Sequence, residues 1–203
     1  MSEDRTHDRT QVQEFFGARA ADWDRKFAED GPAFAAAVAE SGLRPGDRVL
    51  DAGCGTGRAL PALRSAVGPE GTVLGVDLTP QMLAAAQRAG RAAEGALLLA
   101  DVARLPLRDA ALDAVFAAGL IAHLPEPGAN LRELARVVRP GGRLALFHPI
   151  GRAALAARHG RELTPEDLRA EHNIGPLLGS SGWEMISYAD QDHRFLVLAT
   201  RRP

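Results

Sequence analysis

Past a polar opening, Val12, Phe15, Phe16, Arg19, Ala20, Trp23 and Phe27 recur at roughly helical spacing, which predicts an amphipathic helix over 12–27. A second helix is expected from Pro32 to about Ser41, stopped by Gly42 and the turn Arg44-Pro45-Gly46-Asp47. Beyond it the chain alternates between short apolar runs and amphipathic segments. The apolar runs predict strands over 48–52, 72–77, 96–100, 112–118 and 143–148. Between them, helices are expected over 58–67 and 81–92, the second opened by Thr79 as N-cap and Pro80 as first helical residue. Leu131, Leu134, Val137 and Val138 mark the buried face of a further helix that stops at Pro140-Gly141-Gly142. Thr164 and Asp167 stand at capping-box spacing and predict another helix start. Two runs, 183–188 and 194–200, close the chain.

The spacing between these runs dictates the topology. The first five strands are separated by helix-length or connector segments, as right-handed parallel crossovers require. Only about five residues separate the last two runs, too few for a crossover helix, so they must form a hairpin. The expected fold is α/β and doubly wound, a seven-stranded, mostly parallel sheet with one antiparallel strand and helices on both faces. Its class is Rossmann-like.

Composition narrows the partners. The 203 residues fit one domain, with 46% hydrophobic and 25% charged residues. A net charge of −2 offers no general attraction to a phosphate backbone, so no nucleic-acid partner is expected. Cys54 is the only cysteine, which rules out an intrachain disulfide and a multi-cysteine zinc site. The first residues lack the apolar core of a secretory signal, and no apolar run is long enough to span a bilayer. A cytoplasmic protein without a membrane span is expected.

The chemistry gathers where strands end. The first strand runs into Val49 to Gly57, VLDAGCGTG, in which Gly53, Gly55 and Gly57 clear space for a nucleotide against backbone and permit positive φ. A plain glycine turn would look similar. Asp77, twenty residues past Gly57 at the end of the second strand, can accept hydrogen bonds from both hydroxyls of a ribose. Asp101 ends the third, so three consecutive strands finish on Asp51, Asp77 and Asp101. Carboxylates there are poor choices for stability alone, and a bound ligand explains them better. A nicotinamide or flavin site wants G-x-G-x-x-G, whereas Arg58 follows Gly57 and leaves G-x-G-x-G, which disfavours a dinucleotide.

VLDAGCGTG, GVDLTPQML, ADVARLPL, LDAVFAAGLIAHLPEP and ARVVRPGGRLALFHP occur in order, and together they resemble the class I S-adenosylmethionine-dependent methyltransferases. The similarity is to the small-molecule, quinone-biosynthesis-like type 11 branch and covers about residues 10–200. That resemblance implies S-adenosylmethionine as cofactor. Asp51 and the backbone of Gly53 would hold its methionine amino end, Gly55 and Gly57 would allow close approach, and Asp77 would take the ribose. Leu78 and Met82 would pack on adenine, Asp101 would accept from its N6 and the Val102 amide would face N1. Ala118 would touch the methionine moiety through backbone. Trp23 stands where the family often has a lid aromatic, although a half-buried core tryptophan is the other reading.

The resemblance also divides the chain, as one domain over 1–203. A tail over 1–9 precedes lid helices over 10–42, a cofactor core over 43–150, and a C-terminal part over 151–203 with the hairpin. Methyl transfer needs placement and exclusion of water, and an oxygen or acidic-carbon acceptor also needs a base. His123, just past strand four, and His148, at the end of strand five, are the candidates. His123 can equally serve packing at a helix entry. His159, His172 and His193 read as surface or loop residues.

Strand four ends Ala117-Ala118-Gly119-Leu120, without the Asn/Asp-Pro-Pro-aromatic run of many amino-group methyltransferases, and without the acidic ligands of a magnesium-dependent catechol site. A metal-free reaction on a small-molecule acceptor follows. The stretch 151–163 is expected to touch that acceptor, with Arg152, Arg158 and Arg161 able to meet an acidic one. A cofactor-binding protein that serves as a non-catalytic partner is the alternative. Neither the acceptor nor the oligomeric state can be read from these residues.

Overall fold

Every residue but the first of strand β1 (Arg48–Ala52) is buried, which demands cover on both faces of the sheet. A computed structural model describes residues 9–203 and shows how that cover is built. The tail expected over 1–9 lies, apart from Arg9, outside the described residues. Six further strands follow: β2 (Thr72–Asp77), β3 (Ala96–Leu99), β4 (Leu112–Ala118), β5 (Val138–His148), β6 (Trp183–Gln191) and β7 (Arg194–Arg201). They form one sheet in the order β3-β2-β1-β4-β5-β7-β6. β7 alone runs opposite to the other six strands, as the short hairpin connection requires.

Successive residues of a strand point to opposite faces, so a strand covered on both sides feeds two cores in turn. On β4, Val115 and Ala117 join one core while Ala114 and Phe116 join the other, and β5 alternates in the same way through Leu144 to Phe147. One core is closed by α6 (Pro127–Val137) and α8 (Glu171–Ser180) through Leu131, Leu134, Ile174 and Leu178. The other is closed by α3 (Gly31–Glu40) and α4 (Leu60–Val67) through Phe34, Val38, Leu60 and Leu63. A further helix, α5 (Pro80–Arg88), buries Met82 and Ala86.

Five sequence expectations are corrected. The helix expected over 12–27 is broken into α1 (Arg9–Gly17), a 3-10 turn Ala20–Asp22 and the short α2 (Trp23–Lys26). Gly17 presses against Gln81, where even a Cβ would lie 3.2 Å from its side chain, and the chain turns there so that Phe16 and Trp23 meet edge to face. No helix starts at Thr164: Asp167 N–H donates to Thr164 O in a turn, and α8 begins only at Glu171. Thr79 occupies the N-cap position of α5 without a side-chain cap, its own N–H being donated to Asp77. Strand five begins at Val138, not Arg143, loops out over 139–142 and resumes at Arg143 opposite Ala114. The stretch 151–163 holds an unexpected helix, α7 (Arg152–Arg158). Among the described residues no helix is long and apolar enough to cross a membrane.

Trp183 is fully buried and its Nε1–H donates to Leu131 O at 2.9 Å, locking β6 to α6. Trp183→Ala should destabilise the fold by about 3–5 kcal/mol, and Trp183→Phe by less. Urea unfolding midpoints check both.

Candidate active site

The turn after β1 takes positive φ at Gly53 (+67°), Gly55 (+55°) and Gly57 (+76°). A Cβ at Gly53 would also lie 2.8 Å from Leu120 Cδ1, so both backbone and space select glycine there. Asp77 holds the turn in place. Its Oδ2 accepts from Gly55 N–H at 2.7 Å, and its Oδ1 accepts from Thr79 N–H at 2.8 Å. Cys54 N–H donates to Val76 O at 2.9 Å and ties the same turn to β2.

Above this turn lies a cavity of about 940 Å³. It opens at the carboxyl ends of β1 and β4, where the strand order reverses, the usual ligand position in an open α/β sheet. Its floor is acidic. Asp51 is 1% exposed and its Oδ2 has no hydrogen-bond partner among the described residues. Burial, then the neighbouring negative charge of Asp77, pushes the Asp51 carboxyl up to about 8. Asp77 is also held above the usual carboxylate range by burial, against the pull of its backbone donors. Burial raises the Cys54 thiol as well, which keeps it protonated and inert.

The cavity gathers nearly all the residues singled out from sequence. Asp51, Gly53, Gly55 and Asp77 form one end with Leu78 and Met82, and Asp101, Val102 and Ala118 border it. Gln13 on α1 donates to Leu78 O at 2.8 Å and brings the N-terminal segment over this end. Asp101 accepts from Ala103 N–H at 2.8 Å through Oδ1 and is ion-paired to Arg9 through Oδ2 at 2.5 Å. Gly57 does not line the cavity; a Cβ there would sit 2.9 Å from Leu60 Cδ1, so its place is the entry to α4.

Trp23 lines the cavity and packs edge-on to Phe16 and tilted against Phe27, at ring separations of 5.5 and 4.8 Å. His123 stands edge-on to Phe16 at 5.0 Å, joining the aromatic cover to the loop after β4. His148 faces the same space from the end of β5. Arg158 and Arg161 reach the rim, but Arg152 does not: it pairs with Asp190 at 2.8 Å and braces α7 against β6. His159, read from sequence as an ordinary surface residue, also lines the rim, whereas His172 contacts Pro165 O at 2.9 Å outside the cavity.

A latch over the cavity was not legible in the sequence. Asp24 on α2 receives the Thr56 hydroxyl at 2.5 Å and pairs with Arg91 at 2.6 Å, while Arg91 also donates to Thr56 O. Arg58 pairs with Asp30 at 3.1 Å, donates to Phe27 O and lies over the Phe34 ring. These contacts fasten the segment before α3 to the glycine turn. They join residues about thirty positions apart, and no periodicity announces such pairs.

A glycine turn at the reversal point of a seven-stranded sheet, with Asp51 and Asp77 at the ends of β1 and β2 and Asp101 just past β3, marks the class I S-adenosylmethionine-dependent methyltransferase fold. Residues 50–146 match the family model of the type 11 methyltransferase domain (Methyltransf_11). The chain is similar to that family over this stretch, which is just under half of its length. It is 41% identical over 108 residues to the 27-O-demethylrifamycin SV methyltransferase of Amycolatopsis mediterranei, covering 51% of this chain and 39% of that protein. Against the demethylmenaquinone methyltransferase of Staphylococcus aureus it is 36% identical over 104 residues, covering 51% and 43%. The crystal structure of an S-adenosylmethionine-dependent methyltransferase from Aquifex aeolicus superposes with a TM-score of 0.68 at 28% identity, over 81% of this chain and 87% of that one. The matches span between 31% and 49% of the length of the curated relatives.

The family's cofactor is S-adenosylmethionine, and the floor suits it. A buried carboxylate without a partner is a receptor for a cation, and the cofactor carries an ammonium group.

An ionisable group buried this way also leaves a signature. Because the folded Asp51 carboxyl sits near 8 and its ordinary value is 3.8, the native state binds the extra proton between those values. Its contribution to stability therefore falls as pH rises from about 4 to about 8. Asp51→Asn should raise the melting temperature at pH 8 and leave it near wild type at or below about pH 4. The same variant should weaken S-adenosylmethionine binding about tenfold or more, and wild-type binding should tighten as pH rises toward 8. Thermal melts and titration calorimetry across pH check both halves.

Proposed function

We propose that the protein is an S-adenosylmethionine-dependent methyltransferase acting on a small-molecule acceptor, with His148 as general base. The observation that carries this reading is one cavity that joins the unpartnered Asp51 carboxylate to a neutral imidazole at His148. When bound, S-adenosylmethionine supplies an electrophilic methyl group on a sulfonium whose leaving group is neutral.

In this reading Asp51 and the backbone of Gly53 receive the ammonium group, and Asp77 takes the ribose hydroxyls. Asp77 can do so while pinning the turn, because each carboxylate oxygen has a second lone pair beyond the one given to Gly55 or Thr79. Leu78 and Met82 flank the adenine. Asp101 and the Val102 amide meet its polar edge, with Arg9 holding the outer side of the Asp101 carboxylate. Ala118 and Gly119 bring bare backbone to the reacting end. The aromatic cover of Phe16 and Trp23 excludes water, which leaves the acceptor in a dry, oriented position.

His148 is set up to take the acceptor's proton. Its Nδ1 lies 2.8 Å from Ile150 O and 3.1 Å from Ile150 N. Nδ1 accepts from Ile150 N–H in one tautomer and donates to Ile150 O in the other; in this reading it donates to the nearer carbonyl, and Nε2 keeps its lone pair. Burial lowers the imidazole below its ordinary 6.5, and the charges of Arg169 and Arg158 add to that. The ring is therefore neutral at neutral pH, and in that tautomer Nε2 is free to take a proton. The new bond forms from the acceptor's lone pair, and the proton it sheds ends on His148 Nε2.

Incubation with phenols, quinones and amines should release S-adenosylhomocysteine with at least one of them. Binding without product from any acceptor would instead favour a non-catalytic partner. Calorimetry that finds no S-adenosylmethionine binding, or unchanged binding by Asp77→Ala, sinks the reading at its root. For an oxygen or carbon acceptor, His148→Gln should lower kcat about 10²-fold or more while cofactor binding stays intact. The wild-type kcat should rise with pH through a midpoint below 6.5, and the variant should lack that limb.

A further inference from the structure

Charge is divided along the depth of the cavity. The buried floor carries Asp51 and Asp77, with no cation paired to either. The exposed residues that line the same cavity must stand at its mouth, and they include Arg19, Lys26, Arg158 and Arg161. None of these four has a carboxylate partner among the described residues. Arg19 lies over the Phe15 ring and donates to Phe15 O, Lys26 lies near the Phe27 ring, and Arg161 donates to His159 Nδ1. The remaining rim charges are Glu126, and Arg9 in its pair with Asp101. Deeper on the same side, Arg169 is shared with Asp167 at 3.4 Å. Phe27, Phe34, Phe147 and Phe195 also line the cavity and give it aromatic walls.

An acceptor that fills such a space needs an apolar ring for the walls and a negative group for the mouth. We propose that the acceptor is an aromatic carboxylate, whose ring lies among these aromatics and whose carboxylate is held by Arg158 and Arg161. This rests on the methyltransferase reading above and extends it to the acceptor's chemistry. A guanidinium meets a carboxylate with two parallel hydrogen bonds, and α7 with the turn after it places two such groups on the cavity that His148 also lines. The cavity thus presents negative charge where a cationic donor sits and positive charge where the acceptor enters. Each ligand is repelled from the other's end.

The test uses the full chain saturated with S-adenosylhomocysteine. Benzoate, 4-hydroxybenzoate and salicylate are titrated beside the matching benzamides by calorimetry. The carboxylates should bind about tenfold or more tightly than their amides, a difference equivalent to about 1.4 kcal/mol. That preference should shrink as salt is raised from about 0.01 M to about 1 M, where the screening length falls from ~30 Å to ~3 Å. Arg158→Ala and Arg161→Ala should each weaken the carboxylates without changing the amides or S-adenosylhomocysteine, and Arg158→Glu should abolish the preference. Equal affinity for both series, equal losses in the variants, or no binding of any carboxylate overturns the proposal. Failure to bind S-adenosylhomocysteine at all is a different result, since it removes the methyltransferase reading itself.

Discussion

The site depends on one carboxylate that bridges two segments of chain. Asp77 accepts from Gly55 in the turn after β1 and from Thr79 at the start of α5. Neither segment could hold this shape unaided, because the turn runs through three glycines with positive φ, each conformationally free in the unfolded chain. Hydrogen bonds to an ionised acceptor are roughly twice as strong as neutral ones, so a charged anchor suits so costly a turn. The position of Asp51 beneath the cavity follows from this anchoring. Two carboxylates so close cannot both ionise without cost, and the structure places that cost on Asp51.

That choice separates stability from function. A protein optimised for the apo fold would place Asn or a hydrophobe at the end of β1. Asp51 does neither, and its Oδ2 finds no partner in the described chain. The strain is local and supported by well-packed strands, with Val49, Leu50 and Ala52 wholly buried around it. Binding energy from a cationic ligand can offset what the empty floor costs. The latch of Asp24, Thr56 and Arg91 then acts from above. Its ion pair is partly exposed, and exposed pairs contribute little to stability. A weakly fastened cover can open for exchange of ligands and still order the aromatic roof when shut.

Legibility tracked the range of the interactions involved. Strands β1, β2 and β4 begin and end where their apolar runs do, because burial on both faces writes a continuous local signal. The floor residues were equally visible, since each ends a strand that the pattern already located. The helix expected over 12–27 failed because its aromatics are spaced helically for a different reason: Phe16 and Trp23 meet across a break at Gly17. Thr164 and Asp167 have cap spacing, yet the Asp167 carboxylate accepts from Arg169 N–H at 2.8 Å and the helix waits for Glu171. Arg152 looked like a rim arginine by sequence proximity alone. Its partner Asp190 lies 38 positions away, on a hairpin strand that only folding brings near.

Net charge was the least informative number in the sequence, and the cavity shows why. A total of −2 describes a nearly neutral molecule, yet the buried floor is acidic and the exposed mouth is basic. Burial sets what each charge can do. At the floor, water is excluded and a carboxylate acts on its neighbours at short range, enough to move a proton equilibrium. At the mouth, arginines stay hydrated and screened, so they guide and orient a ligand more than they fix it. His148 lies between these regimes: half-buried, with its pKa lowered by burial and its Nδ1 against the backbone of Ile150. A base placed there is shielded enough to stay unprotonated and open enough to be reached, and neither end of the cavity offers both conditions.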